Sequence, residues 1–78
     1  MPKLPRCSGK EVLKALERAG FESFEQTGSH VYLHKWEKDI WSKRVTVPVH
    51  GKKILKLKTL RNIITQSGLK VDEFVEFL

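Results

Sequence analysis

One cysteine is too few for an internal disulfide, so nothing holds this 78-residue chain together covalently and a reducing compartment is its simplest setting. That residue, Cys7, falls in a flanking segment and is a poor candidate nucleophile. No apolar run approaches the roughly 20 residues that cross a bilayer, and the first residues lack the apolar centre of a signal peptide. A membrane span is therefore not expected, and the cytoplasm is the expected location. Acidic side chains are also scarce: nine Asp and Glu stand against fifteen Lys and Arg, a formal charge of +6. A small domain this basic is suited to polyanions. The charge is segregated as well. Lys43, Arg44, Lys52, Lys53, Lys56, Lys58 and Arg61 crowd the middle of the chain, whereas Asp72, Glu73 and Glu76 lie near its end. Such a distribution favours a nucleic-acid face. There is no internal repeat and no low-complexity tract, and the length suits one domain, residues 1–78, around one small core.

What the chain does have is two stretches of strict alternation. In Gly28-Ser29-His30-Val31-Tyr32-Leu33-His34, Val31 and Leu33 alternate with His30, Tyr32 and His34; in Arg44-Val45-Thr46-Val47-Pro48-Val49-His50, three valines alternate with Arg44, Thr46, Pro48 and His50. Period two sends these sets to opposite faces of pleated strands. Both strands then bury their odd-numbered residues, and all three histidines of the protein fall on the opposite, open face. If the strands pair antiparallel, facing residues have an even index sum, and a loop centred near Ile40 sets that sum near 80. His30 is then expected across from His50.

The remaining segments frame these strands. Residues 1–7, with Pro2 and Pro5, read as a lead-in arm. Ser8-Gly9-Lys10-Glu11 has capping-box spacing, and Val12, Leu16 and Ala19 form a helical stripe, so a helix is expected over 9–19 with Gly20 as its left-handed terminator. A strand over 21–26, a turn at Thr27-Gly28, a strand over 29–36, a polar hairpin loop over 37–42 and a strand over 43–49 follow. Pro48 lacks an N–H and belongs at an edge or a strand end. Leu57, Leu60, Ile63 and Ile64 fit one face of a helix over 58–67, closed by Gly68, and Val71, Phe74, Val75 and Leu78 give a short third helix. Short connections make the strands an antiparallel meander, covered on its valine-rich face by helices. The expected class is therefore α+β: a two-layer α-β-β-β-α sandwich, similar to a double-stranded-RNA-binding domain, with a short extra C-terminal helix.

Cleaving RNA without a metal needs a base for the 2′-hydroxyl, an acid for the leaving oxygen, and positive charge for the phosphorane. Histidine serves either proton role near neutral pH. His30 is the best-placed candidate, because Gly28-Ser29 lets a phosphate approach the backbone and offers a hydroxyl. The plain alternative is a merely exposed histidine. His30 and His34 lie four residues apart, about 13 Å along a strand, too far to share an ion. His30 with His50 lacks a third ligand beside it, so no metal site is expected. Lys35, Arg44, His50, Lys52 and Lys53 are candidate RNA contacts; the Gly51-Lys52-Lys53 turn lacks the spacing of a P-loop. Trp36 and Trp41 either stack on bases or cover an open end of the core.

Ser8-Gly9-Lys10-Glu11, Gly20-Phe21, Gly28-Ser29-His30, the run Val45-Thr46-Val47-Pro48-Val49-His50-Gly51, and Thr59-Leu60-Arg61-Asn62-Ile63-Ile64 together resemble the HicA family over nearly the whole chain. These are the toxin ribonucleases, or mRNA interferases, of HicA-HicB type II toxin-antitoxin pairs. The resemblance implies a double-stranded-RNA-binding-like fold, cleavage of mRNA with the histidine matching His30 as catalytic residue, no cofactor, and inhibition by a HicB-type antitoxin. The chain departs from the family pattern at Lys58, where many relatives have glycine, and in the hairpin carrying Trp36 and Trp41. The rival expectation is a non-catalytic RNA-binding module of the same fold. Oligomeric state is not legible in the residues.

Overall fold

The computed structural model describes residues 4–42 and 44–78. Ser8 opens α1 (Gly9–Arg18) as its spacing requires: the Ser8 hydroxyl accepts from the Glu11 N–H, and the Glu11 carboxylate accepts from the Ser8 N–H at 3.0 Å. Gly20 leaves the helix with φ of 102°, a conformation a side chain resists. The chain then enters an antiparallel sheet of β1 (Phe21–Thr27), β2 (His30–Glu37), β3 (Ile40–Trp41) and β4 (Val45–Pro48). β2 is central, pairing with β1 on one side and with β3 and then β4 on the other. The third strand of the meander is thus one path in two pieces. Helices α2 (Leu57–Ser67) and α3 (Val71–Glu76) complete the expected α+β, double-stranded-RNA-binding-like order with its short extra helix. Among the described residues no helix is long and apolar enough to cross a membrane.

Parity governs the layers. Val31 and Leu33 of β2 face Val47 and Val45 of β4, and all four are buried. Val12, Ala15 and Leu16 of α1, with Leu60, Ile63 and Ile64 of α2, join the same apolar cluster, so the helices cover the odd-numbered face. Pro48 closes the β2–β4 ladder on an edge strand, where its missing donor costs nothing.

Several expectations need correcting. Facing residues of β2 and β4 add to 78, so the parity is even as expected, but His30 faces Pro48 and not His50. His50 lies past the strand end, before the Gly51 turn. The segment 37–42 is mostly ladder: Trp36 pairs with Trp41 and Glu37 with Ile40 around a two-residue turn, Lys38-Asp39. Both turn residues have positive φ, 50° and 64°, as a type I′ turn demands. The first hairpin turn is Gly28-Ser29 rather than Thr27-Gly28, since Thr27 pairs with His30. Leu57, the first residue of α2, is exposed, and only Leu60, Ile63 and Ile64 of that stripe are buried. Lys43, placed by sequence in the third strand, and residues 1–3 of the expected arm lie outside the described residues.

The rest of that arm is part of the body. Cys7 is buried in the core, its carbonyl accepts from the Leu55 N–H at 2.8 Å, and Ser8 bridges Ile54. Burial, and secondarily the Glu11 carboxylate, push the thiol pKa upward, which keeps Cys7 protonated. Gly9 packs so closely that a Cβ would collide with the Pro48 carbonyl oxygen and come within 3.0 Å of the Val49 Cα. Gly9→Ala should therefore cost about 1–3 kcal/mol, as overpacking does. A lower urea midpoint with unchanged slope is the expected readout. A midpoint equal to wild type would show that α1 withdraws from β4 freely.

Candidate functional site

The Gly28-Ser29 turn sets the site. Gly28 has φ of 58° while Ser29 does not share the positive φ, the pattern of a type II′ turn, which places glycine first. His30 therefore begins the central strand, and its even number puts it on the face away from the helices. It is exposed, and its imidazole makes no hydrogen bond to a described residue. Ser29 is half-buried and its carbonyl accepts from the Val49 N–H, which ties the turn to the end of β4.

Along the open face Tyr32, His34 and Trp36 follow His30 at two-residue steps of about 6.6 Å. The Arg44 guanidinium lies over the Tyr32 ring, 4.5 Å from its centroid, so a cation is held against the sheet one step from His30. His34 has its Nδ1 2.9 Å from the Ser42 carbonyl oxygen. A carbonyl only accepts, so Nδ1 is the donor, and in the neutral ring Nε2 is left to accept. At about 13 Å along the strand, His34 cannot work on the same phosphodiester as His30.

The candidate contacts divide. His50, Lys52 and Lys53 are exposed around the Gly51 turn, beyond the end of β4 that faces His30. His50 and Lys53 join Pro48, Lys56 and Thr59 around a shallow pocket of about 120 Å³. Lys35 stands apart: its odd number sends it to the helical side, where its ammonium sits 5.8 Å from the centroid of Phe21 and pairs with Glu37 at 3.1 Å. The face is electrically lopsided. Glu22 sits across from His34 and Glu25 across from Tyr32 on β1, whereas the β4 side carries Arg44.

Residues 9–69 match the family model described as HicA toxin of bacterial toxin-antitoxin. The chain belongs to the HicA toxin family. No curated protein matches the sequence. The match runs from α1 through α2, so the strands that carry His30 and the α2 stripe lie inside it, and α3 lies beyond it. As a HicA toxin the chain is one half of a toxin-antitoxin system, and a cognate antitoxin is its implied partner.

Sequence reasoning did not place Phe24, Lys56 or Thr59 at the site, naming Lys56 only within the basic cluster and Thr59 only in the family landmark, and it did not reach the tautomer of His34. Only Phe24 had a local signal, an aromatic with no periodic role. The others depend on which segments the fold brings together.

Proposed function

We propose that this HicA chain is an endoribonuclease, an mRNA interferase that cleaves RNA by metal-independent acid-base chemistry and is neutralised by a HicB-type antitoxin. The observation that carries this reading is His30, an exposed imidazole with no partner among the described residues, directly after a glycine-serine turn on the open face of a HicA sheet. Neutral His30 takes the proton of a 2′-hydroxyl. The freed oxygen attacks phosphorus, and the 5′-oxygen departs with a proton from a second group. Gly28 and Ser29 position the phosphate through the turn backbone and the serine hydroxyl, and Arg44, His50, Lys52 and Lys53 meet neighbouring phosphates along the β4 side. The antitoxin covers this same face and opposes the cations with acidic side chains, which makes its association fast and salt-sensitive.

The attacking group gives the test. A labelled RNA with a single 2′-deoxy sugar at the cut should resist cleavage there while neighbouring bonds remain susceptible, and EDTA should leave the rate unchanged. Adding the antitoxin should stop cleavage, with the block relieved as salt rises. Cleavage at the deoxy position, or loss of activity in EDTA, would replace this mechanism with a hydrolytic or metal-assisted one.

A further inference from the structure

We propose that Phe24, Trp36 and Trp41 form a stacking platform that holds an unpaired base of the RNA, on the same sheet face as His30, with its tryptophans about 20 Å along β2 from it. The proposal rests on the reading of the chain as an RNA-cleaving toxin and names where a second part of that RNA is held.

Three observations converge on the platform. The rings touch one another in the open: Phe24 and Trp41 meet edge to face at 4.5 Å, Trp36 and Trp41 at 4.9 Å, and Phe24 leans on His34 at 5.4 Å. Yet they are 54%, 51% and 43% exposed for Phe24, Trp36 and Trp41. The core lies on the other side of the sheet, so the tryptophans do not close it. An edge-to-face contact covers only one side of one ring in a pair, and the exposed remainder offers ring faces, the surface on which any base stacks.

The backbone departs from regularity twice to bring the rings together. Phe24 is the extra residue of a β-bulge: Ser23 pairs with Leu33 and Glu25 with the next residue back, Tyr32, leaving Phe24 unpaired and turned to the open face. On the other edge, β3 pairs with β2 at an index sum of 77 and β4 at 78. The one-residue shift between them lets odd-numbered Trp41 share a face with even-numbered Trp36, while Val45 and Val47 stay inward. Bulges of this kind re-aim side chains beside working sites. The type I′ turn joining β2 to β3 adds a third demand, positive φ at Lys38 and Asp39, neither of them glycine.

Charge selects the occupant. Glu22 and Glu25 repel phosphate from the β1 edge, and Arg44, stacked on Tyr32 between His30 and the platform, attracts it to the β4 side. A single strand lying along β2 and β4 thus keeps its backbone over Arg44 and turns a base toward the rings. His34, its Nδ1 committed to the Ser42 carbonyl, presents Nε2 to that base.

Both tryptophans of the chain are in the platform, so tryptophan fluorescence, excited at the red edge where tyrosine does not absorb, reads this site alone. The full chain is titrated with a single-stranded 2′-O-methyl RNA oligonucleotide, which lacks the attacking hydroxyl and is not consumed. Quenching is expected. Trp36→Ala and Trp41→Ala, followed by labelled oligonucleotide, should each weaken binding by about 5- to 150-fold, the range for loss of one stacked base. The salt slope should stay unchanged because no phosphate contact is lost. An oligonucleotide with abasic positions should lose the same factor against wild type and no more against the variants, which tests the platform without altering the protein. Unquenched wild type, or variants that bind as wild type does, overturns the proposal. So do variants that lose only self-association or antitoxin affinity. Cleavage of ordinary RNA by the same preparations separates the two claims. Quenching without cleavage keeps the platform and removes the nuclease, and cleavage without quenching does the reverse.

Discussion

Replacing His30 by alanine is expected to lower RNA cleavage by about 10²- to 10⁴-fold, the usual effect of losing a positioned proton-transfer group. The fold should be nearly indifferent to the change. The His30 side chain is exposed and has no partner among the described residues, so its removal should fall within the roughly ±0.5 kcal/mol of ordinary surface substitutions. RNA affinity should also survive, because on the proposed reading Arg44, His50, Lys52 and Lys53 share the phosphate contacts and one imidazole is a small part of that sum. The decisive comparison is thermal melting, binding to labelled RNA and gel analysis of cleavage on wild type and variant together. Full cleavage by His30→Ala would remove the catalytic assignment. A parallel loss of binding would recast His30 as a contact residue and favour a non-catalytic RNA-binding module.

Phe74→Ala should produce the largest loss of stability, about 3–5 kcal/mol, as deletion of a fully buried aromatic does. A 78-residue chain is expected to have only about 4–12 kcal/mol in total, at 0.05–0.15 kcal/mol per residue. The variant should therefore melt far below wild type or be partly unfolded at room temperature. The size of the effect follows from where Phe74 lies. It is fully buried in the common core although α3 is a six-residue helix outside the span that matches the HicA family. Such a helix is too short to persist alone, so the packing of Phe74 holds it in place. Arg18 also donates to the Phe77 carbonyl at 2.8 Å, joining the end of α3 to α1, but this bond is exposed. Arg18→Ala should cost about 1 kcal/mol or less, near the net worth of one hydrogen bond. Urea melts of both variants check the contrast. Equal, small losses would mean that α3 is a dispensable appendage.

Much of this molecule is legible from local rules. The Ser8–Glu11 box, Gly20 and Gly68 mark helix ends because capping involves only residues three or four apart. The alternation in β2 and β4 identified the buried face because a pleat admits only two. The choice of His30 came from neighbours in sequence, a glycine-serine turn followed by an imidazole. The absolute register did not follow, since it depends on how many residues the β2-to-β4 connection uses, and that connection contains a type I′ turn and a one-residue shift. The expected pairing of His30 with His50 failed because the turn lies at Lys38-Asp39, ahead of the centre near Ile40 that a sum of 80 requires; the shift only restored the even parity. Lys35 was grouped with the RNA contacts on charge alone, although parity sends it to the helical side.

Patterning within a few residues thus sufficed for the helices, the central strand, the buried valines and the exposed histidine, because hydrophobic period and capping act at short range. Tertiary structure decided what depends on contacts between distant segments. It buried Cys7 beneath the 54–55 segment, pressed Gly9 against Pro48, and sank Phe74 into the core. It also assembled Phe24 with Trp36 and Trp41. A bulge on one strand and a register change on another are single-residue events with no periodic signature, and their consequence appears only when the two edges of the sheet close around β2.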